Sequence, residues 1–134
     1  MRYIFVFAAL FLIHSATYAQ QDRWTAPAWA DTLSNPFTAE DEMVLSEGQN
    51  LYIMLCAACH GEDGNGGGGA GQSFNPPPAD FTKDVIQQQS DGALFWKLSE
   101  GNPPGMLSYK GILSDKERWQ IVSYLRQFEE PTEE

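Results

Sequence analysis

Three things are scarce in this sequence of 134 residues: basic side chains, long apolar runs and strand-like alternation. Lysine and arginine number 8 against 18 aspartates and glutamates, so the formal charge is −10 and nucleic acid is not an expected partner. The longest apolar run, residues 3–13, would rise only about 16 Å as a helix, well short of the ~30 Å core of a bilayer. No segment alternates apolar and polar residues over a useful length. Sheet proteins and stable membrane spans are therefore both disfavoured.

The amino-terminal residues have the pattern of a secretory signal peptide. Arg2 precedes the apolar run and small residues ending in Ala19 follow it, so we predict cleavage after Ala19 and export to the periplasm. An uncleaved anchor is the alternative, and no cysteine stands directly after the run to carry a lipid at the new amino terminus.

Without residues 1–19 the chain has 115 residues and a charge of −11. That length suits one modest domain, and the charge suits a protein that meets basic docking surfaces.

The mature chain divides into three predicted parts. Residues 20–41 contain two prolines, and their apolar residues recur with no sustained helical or strand-like spacing. This pattern predicts an extended amino-terminal arm. Its Trp24, Trp29 and Phe37 would pack on their own domain or on a partner. Residues 42–130 form the predicted domain, and residues 131–134 a frayed acidic tail.

Two helices are predicted on either side of a glycine-rich loop. The first begins near Ala39 or Ser46 and carries Cys56 near its end, because apolar residues recur three and four apart before it. Seven of the eleven residues from 61 to 71 are glycine, and prolines occupy 76–78, so this stretch is predicted to be loop. A phosphate cradle is disfavoured because no Lys-Ser or Lys-Thr follows. The second helix begins after Ser90 or Asp91 and ends at residue 101.

The last helix has the clearest pattern. Ser114 and Glu117 are spaced as a capping box, and the apolar stripe behind them predicts a broad buried face. That stripe consists of Trp119, Ile121, Val122, Tyr124, Leu125 and Phe128. With no strand expected, the predicted fold class is all-α.

Cys56, Cys59 and His60 form the motif Cys-x-x-Cys-His, which is the attachment sequence for c-type haem. Thiols one helical turn apart can reach the two vinyl groups on one edge of a porphyrin, while the imidazole that follows reaches the iron. A thioredoxin-like redox pair is one alternative, but it requires a strand leading into the motif. A chance motif with nothing attached is another. Zinc is disfavoured because only three such ligands remain after cleavage.

The second axial ligand of such a haem follows by elimination. His60 is the only histidine outside the predicted leader, which excludes a second imidazole from the same chain. Met43 and Met54 precede the motif on the proximal side, whereas Met106 lies far downstream in a proline-containing loop. A methionine that fills a gap in the core is the alternative for Met106. With His60 and Met106 as metal ligands both axial positions would be filled, which favours electron transfer over catalysis.

These motifs together resemble the class I monohaem cytochromes c, particularly the bacterial periplasmic kind, over residues 46–128. The resemblance rests on Gly48, Tyr52, the Cys-x-x-Cys-His-Gly motif, the Pro-Pro-Pro-Ala-Asp-Phe segment, the methionine flanked by glycine and proline, and the last helix. The sequence departs from the family at Leu107, where a proline often follows the methionine.

The resemblance implies a cytochrome c fold in which the first and last helices cross around one covalently bound haem c and its iron. It implies that Gly48 allows close approach to Tyr124 or Leu125. One of the carbonyls at 76–78 would accept the other imidazole proton of His60, and the resemblance makes Pro78 the implied acceptor.

The indicated function is the transfer of single electrons between redox partner proteins, with a periplasmic dehydrogenase or a terminal oxidase as candidate partners. Two alternatives stay open. The chain could be a haem subunit bound tightly to a periplasmic dehydrogenase. It could also be an enzyme or sensor whose Met106 bond opens to a small ligand.

Overall fold

The computed structural model describes residues 24–129, so the predicted signal peptide at 1–19 and the predicted tail at 131–134 lie outside the described residues. Within this range the chain forms helices and loops, with no strand beyond an isolated bridge between Asn102 and Met106. The all-α prediction is therefore confirmed. No helix in the described range is long and apolar enough to cross a membrane. The α-helices are α1 (Glu42–Leu55), α2 (Ala57–His60), α3 (Asp84–Gln87), α4 (Asp91–Glu100) and α5 (Asp115–Leu125), and 3-10 helices cover Ala28–Thr32, Gly69–Gly71 and Arg126–Phe128.

Short polar side chains start the three longest helices. The Asp41 carboxylate accepts hydrogen bonds from two amides in the first turn of α1, both at 3.1 Å. The Ser90 hydroxyl accepts one at 3.0 Å at the start of α4. Ser114 and Glu117 form the predicted capping box on α5. Because each cap satisfies amides that have no partner within the helix, the helices begin close to the predicted positions, α1 lying between its two candidates.

The closest contact between α1 and α5 is at Gly48. A Cβ there would lie 2.1 Å from the carbonyl oxygen of Gln120 and 3.0 Å from the Cβ of Tyr124. The nearest group is therefore the backbone one turn before the implied Tyr124 or Leu125, with Tyr124 as the second neighbour. Beside this contact lies the first core cluster, whose buried members are Tyr52, Ala57, Phe81, Leu98, Tyr109, Leu113, Ile121 and Leu125.

Replacing Gly48 with alanine is expected to lower the free energy of unfolding by roughly 3 kcal/mol, the upper part of the usual range for overpacking. The added methyl group meets backbone rather than a flexible side chain, so the two helices have to move apart. Gly111→Ala is the matched control, because a Cβ at Gly111 has no neighbour within 4 Å. Urea unfolding curves measure both variants, and equal stability of the two would contradict the prediction.

The arm is not extended throughout, which corrects the sequence prediction. The carbonyl of Pro27 accepts a 2.8 Å hydrogen bond from the amide of Ala30, and this turn begins the 3-10 helix Ala28–Thr32. Proline fixes the backbone angle that such a turn needs at its start. Ala30 is fully buried as a result, whereas Trp29 points outward and is 57% exposed.

The arm packs on its own domain, against α4 and α5. Leu33 and Phe37 cover a second core cluster made of Leu94, Trp119 and Val122. Polar contacts add to this packing: the side-chain amide of Asn35 donates to Asp91 and to Ser123, and the Ser90 hydroxyl donates to Asp31. The segment therefore acts as a structural part of the domain.

Gly92 on α4 allows the arm to approach, and Gly92→Ala is expected to loosen it. A Cβ at Gly92 would lie 2.0 Å from the carbonyl oxygen of Ala30. Since overpacking costs about 1–3 kcal/mol, chymotrypsin should cut the arm roughly tenfold faster than in the wild type. Gly69→Ala, which meets no neighbour within 4 Å, should leave the cleavage rate unchanged. An unchanged rate in Gly92→Ala would show that the contact is not tight.

Candidate functional site

Cys56, Cys59 and His60 occupy one tight turn between two helices. α1 ends at Leu55, and the Cys56 amide still donates to the carbonyl of Tyr52 at 2.8 Å. The amide of His60 then donates to the carbonyl of Cys56 at 2.9 Å in α2. Both thiols are free and partly buried. The helical turn therefore brings two thiols and one imidazole next to one another, as the spacing of the motif predicts.

The environment of the thiols differs from that of a redox-active dithiol. Burial, together with a smaller contribution from the neighbouring Cys59, raises the pKa of Cys56 to about 12. Burial likewise raises the pKa of Tyr109, with smaller contributions from both cysteines, so this ring lies close to the two thiols. Catalytic Cys-x-x-Cys pairs instead have a lowered thiol pKa, and no strand leads into this motif. The geometry disfavours the thioredoxin-like alternative.

The imidazole of His60 is fixed by a hydrogen bond and by a ring contact. Its Nδ1 lies 3.0 Å from the carbonyl oxygen of Ala79. Because a carbonyl only accepts, Nδ1 carries the proton and Nε2 presents a lone pair to a metal. The ring also stacks on Phe81, with centroids 4.6 Å apart. Burial lowers the pKa of His60, only partly opposed by the bond to Ala79, which favours the neutral form that ligates metals.

The acceptor for the imidazole proton is Ala79 and not Pro78, which corrects the expectation drawn from the family resemblance. The carbonyl of Pro78 lies beside the glycine-rich loop, where a Cβ at Gly66 would be 2.8 Å from its oxygen. The oxygen of Ala79 lies 3.4 Å from the same Cβ position, and it is this oxygen that bonds His60. Sequence reasoning placed the acceptor one residue too early.

The glycine-rich loop wraps around α2. The amide of Gly66 donates to the carbonyl of His60 at 2.8 Å. A Cβ at Gly68 would lie 2.4 Å from the carbonyl oxygen of Ala58, so the loop backbone approaches the motif more closely than a side chain allows. The hydroxyl of Tyr52 donates to the carbonyl of Gly61 at 2.6 Å. These contacts hold the backbone of the motif in place from outside.

Met106 lies in a short closed loop after α4. The backbone groups of Asn102 and Met106 exchange two hydrogen bonds of 2.9 and 3.0 Å. Gly101 has φ +69, and a Cβ there would be 2.5 Å from the carbonyl carbon of Leu107, so the two ends of the loop touch. The side chain of Met106 packs against the first core cluster, as Cys56 does.

The other two described methionines are on the surface. Met43 and Met54 are 76% and 71% exposed, and both lie on the outer side of α1. Neither is in the apolar cluster that Cys56 and Met106 border. Of the described methionines, Met106 is therefore the one that packs against the same core cluster as Cys56.

The residues present fit a covalently bound haem. Two thiols one turn apart match the two vinyl groups of a porphyrin, and His60 offers Nε2 with Nδ1 already bonded. A thioether from Met106 is a soft ligand suited to iron. The apolar cluster shared by Cys56 and Met106 provides the burial that a porphyrin needs. Sequence reasoning missed Ser99, whose carbonyl accepts a hydrogen bond from Ser108 shortly after Met106, and Arg118, whose Nη1 donates to the Ser99 hydroxyl.

Comparison with known proteins agrees with this site. The family model for cytochrome c matches residues 45–129. A thiosulfate dehydrogenase of Stutzerimonas stutzeri (strain A1501) is 30% identical over 93 residues, which is 65% of this chain and 28% of that protein. The chain thus spans little more than a quarter of the length of this relative.

Solved structures show the same fold. The KustC0563 c-type cytochrome has a TM-score of 0.53 at 30% identity, covering 62% of this chain and 98% of that one. A chain of the Kuenenia stuttgartiensis reducing HAO-like protein complex Kustc0457/Kustc0458 has a TM-score of 0.54 at 30% identity, covering 62% and 41%. Because the family model covers more than half of the chain, this protein belongs to the cytochrome c family, whose members transfer electrons through a covalently bound haem.

Proposed function

We propose that this protein carries single electrons on one haem c, joined to Cys56 and Cys59 and ligated by His60 and Met106. The observation that carries the proposal is the tight turn in which two thiols precede an imidazole whose Nδ1 is already bonded to Ala79. When bound, the haem supplies an iron that cycles between two oxidation states.

The protein's own residues would fix that iron rather than react. The bond from His60 to Ala79 holds the imidazole plane and makes Nε2 a better donor to the metal. The ring of Phe81 lies against the imidazole and limits its rotation. On the other side, the closed loop from Gly101 to Leu107 would present the thioether of Met106. If His60 and Met106 both hold the iron, they would leave no position open to substrate, which supports electron transfer rather than catalysis.

We further propose that the protein works in the periplasm with protein redox partners. Residues 1–19 have the pattern of a cleaved export signal, and cytochrome c domains are typically found outside the cytoplasm. The excess of 18 acidic over 8 basic residues suits partners with basic docking surfaces. A dehydrogenase or a terminal oxidase is the candidate class of partner.

A role as a tightly bound haem subunit is the second candidate. It is supported by two relatives: the matching thiosulfate dehydrogenase extends far beyond the shared region, and one structural neighbour belongs to a protein complex. Copurification from the native host distinguishes the two roles, because a subunit stays with its enzyme at high salt whereas an electrostatically docked carrier dissociates.

Absorption spectroscopy of the purified full-length gene product tests the proposal. We expect sharp c-type bands after reduction and the weak red band of ferric iron bound to thioether sulfur after oxidation. Carbon monoxide should not bind to the reduced folded protein. Haem that is released by acid-acetone extraction would refute the covalent attachment. Carbon monoxide binding without denaturant would instead favour the enzyme or sensor with a labile Met106 bond.

A further inference from the structure

The loop that carries Met106 is anchored on the last turn of α4, at Ser99. The carbonyl of Ser99 accepts a 2.7 Å hydrogen bond from the Ser108 hydroxyl and a 3.2 Å bond from the Lys110 amide. The amide of Tyr109 donates to the neighbouring carbonyl of Leu98 at 3.2 Å. These three bonds attach the residues that follow Met106 in the chain, 108–110, to α4. The position of Ser99 therefore determines where the loop lies.

Ser99 is itself held from α5 by a buried arginine. Arg118 is only 4% exposed, as is Ser99, and its Nη1 donates to the Ser99 hydroxyl. Nη2 pairs with the exposed carboxylate of Asp115. The guanidinium carbon lies 4.6 Å from the centroid of the Phe95 ring, and the Ser99 hydroxyl donates to the Phe95 carbonyl at 2.7 Å. The arginine, the serine and the helix turn thus form one connected network.

A buried guanidinium gives little net stability by itself, because the cost of removing it from water offsets most of its contacts. Its distinctive property here is geometric, since a rigid planar donor fixes the hydroxyl of Ser99 at one place. A displaced Ser99 would leave a buried donor of Arg118 unpaired, and the Nε of Arg118 already has no hydrogen-bond partner within residues 24–129. Fixing Ser99 in this way keeps its carbonyl in place to accept from the loop at Ser108 and Lys110. The network therefore favours the closed loop over the open one.

We propose that Arg118 and Ser99 are positioning residues that keep the loop closed and so set how readily an external ligand displaces Met106 from the iron. The inference rests on the proposed ligation by Met106. An external ligand binds only to the open arrangement, so its apparent affinity is the intrinsic affinity multiplied by the open fraction. Weakening the network raises that fraction without unfolding the domain.

The test is a titration of the ferric holoprotein with imidazole, followed through the loss of the thioether band. Ser99→Ala keeps the carbonyl that anchors the loop and removes the hydroxyl, which accepts from Arg118 and donates to Phe95 within α4. Loss of the bond between the two helices should tighten the apparent affinity for imidazole about fivefold. Arg118→Lys, which keeps the charge but not the planar donor, should shift the affinity in the same direction.

Val44→Ala is the matched control for a general loss of stability. Val44 lies on α1 and is 5% exposed, whereas the network that anchors the loop joins α4 and α5. It should lower the free energy of unfolding and leave imidazole affinity unchanged. Wild-type affinity in Ser99→Ala, or equal tightening in Val44→Ala, would overturn the inference. Absence of the thioether band from the wild type would instead overturn the proposed ligation by Met106, and the inference with it.

Discussion

A variant in which Cys56 and Cys59 are both alanine is expected to carry no haem after denaturation. Thioether bonds from these thiols are the only covalent link that the site offers, because the described range contains no other cysteine. The wild type should retain its haem through denaturing electrophoresis and acid-acetone extraction, and the double variant should lose all of it. Staining of the gel for haem measures the difference directly.

Ala58→Ser is the matched control for this experiment. Ala58 lies between the two thiols and is exposed, so the substitution alters the motif without removing a bond. Each single cysteine variant should keep one thioether and show a reduced spectrum shifted to longer wavelength, because one vinyl group stays conjugated with the ring. Covalent haem in the double variant would refute the assignment.

Met106→Ala is expected to abolish the thioether band and to lower the reduction potential by a few tenths of a volt, out of the roughly 0.8 V that axial ligands span. The soft sulfur favours ferrous iron, and water or a harder ligand in its place does not. The variant should also bind carbon monoxide when reduced, since its sixth position is open. Potentiometric titration with absorption detection gives both the band and the potential.

Met43→Ala and Met54→Ala are the controls, because both side chains are more than two-thirds exposed and remote from the first core cluster. Each should keep the band and the wild-type potential. If Met106→Ala also keeps the band, the methionine only fills the core and another group ligates the iron. If the band disappears in one of the control variants, the elimination argument is wrong.

Local sequence signals predicted the helices well because each depends on neighbouring residues. Ser114 and Glu117 form the capping box that starts α5, and the apolar residues that follow recur at helical spacing. Both signals can be read without any tertiary information. α3 was missed, since four residues are too few for a period to be visible. It is held by tertiary contacts: the guanidinium of Arg126 donates to the carbonyl of Gln87 at 2.8 Å.

The arm shows where pattern reasoning was insufficient. Its prolines, and the lack of a regular spacing of its apolar residues, indicated an extended segment. The segment is instead positioned by the contact of Ala30 with Gly92, two residues more than sixty positions apart. Glycine in the first turn of a helix carries no signal of this contact by itself. Only the assembled fold shows that a backbone carbonyl occupies the space of the missing side chain.

The sequence by itself determined the all-α class, the starts of α4 and α5, and the chemistry of the motif, because each depends on spacing along the chain. Tertiary structure alone decided that Ala79 rather than Pro78 accepts from His60, that Gln120 is the closest neighbour of Gly48, and that Arg118 holds Ser99. These are contacts between elements distant in sequence, where a shift of one residue or one turn selects a different partner. Periodicity does not specify such a shift, and close packing does.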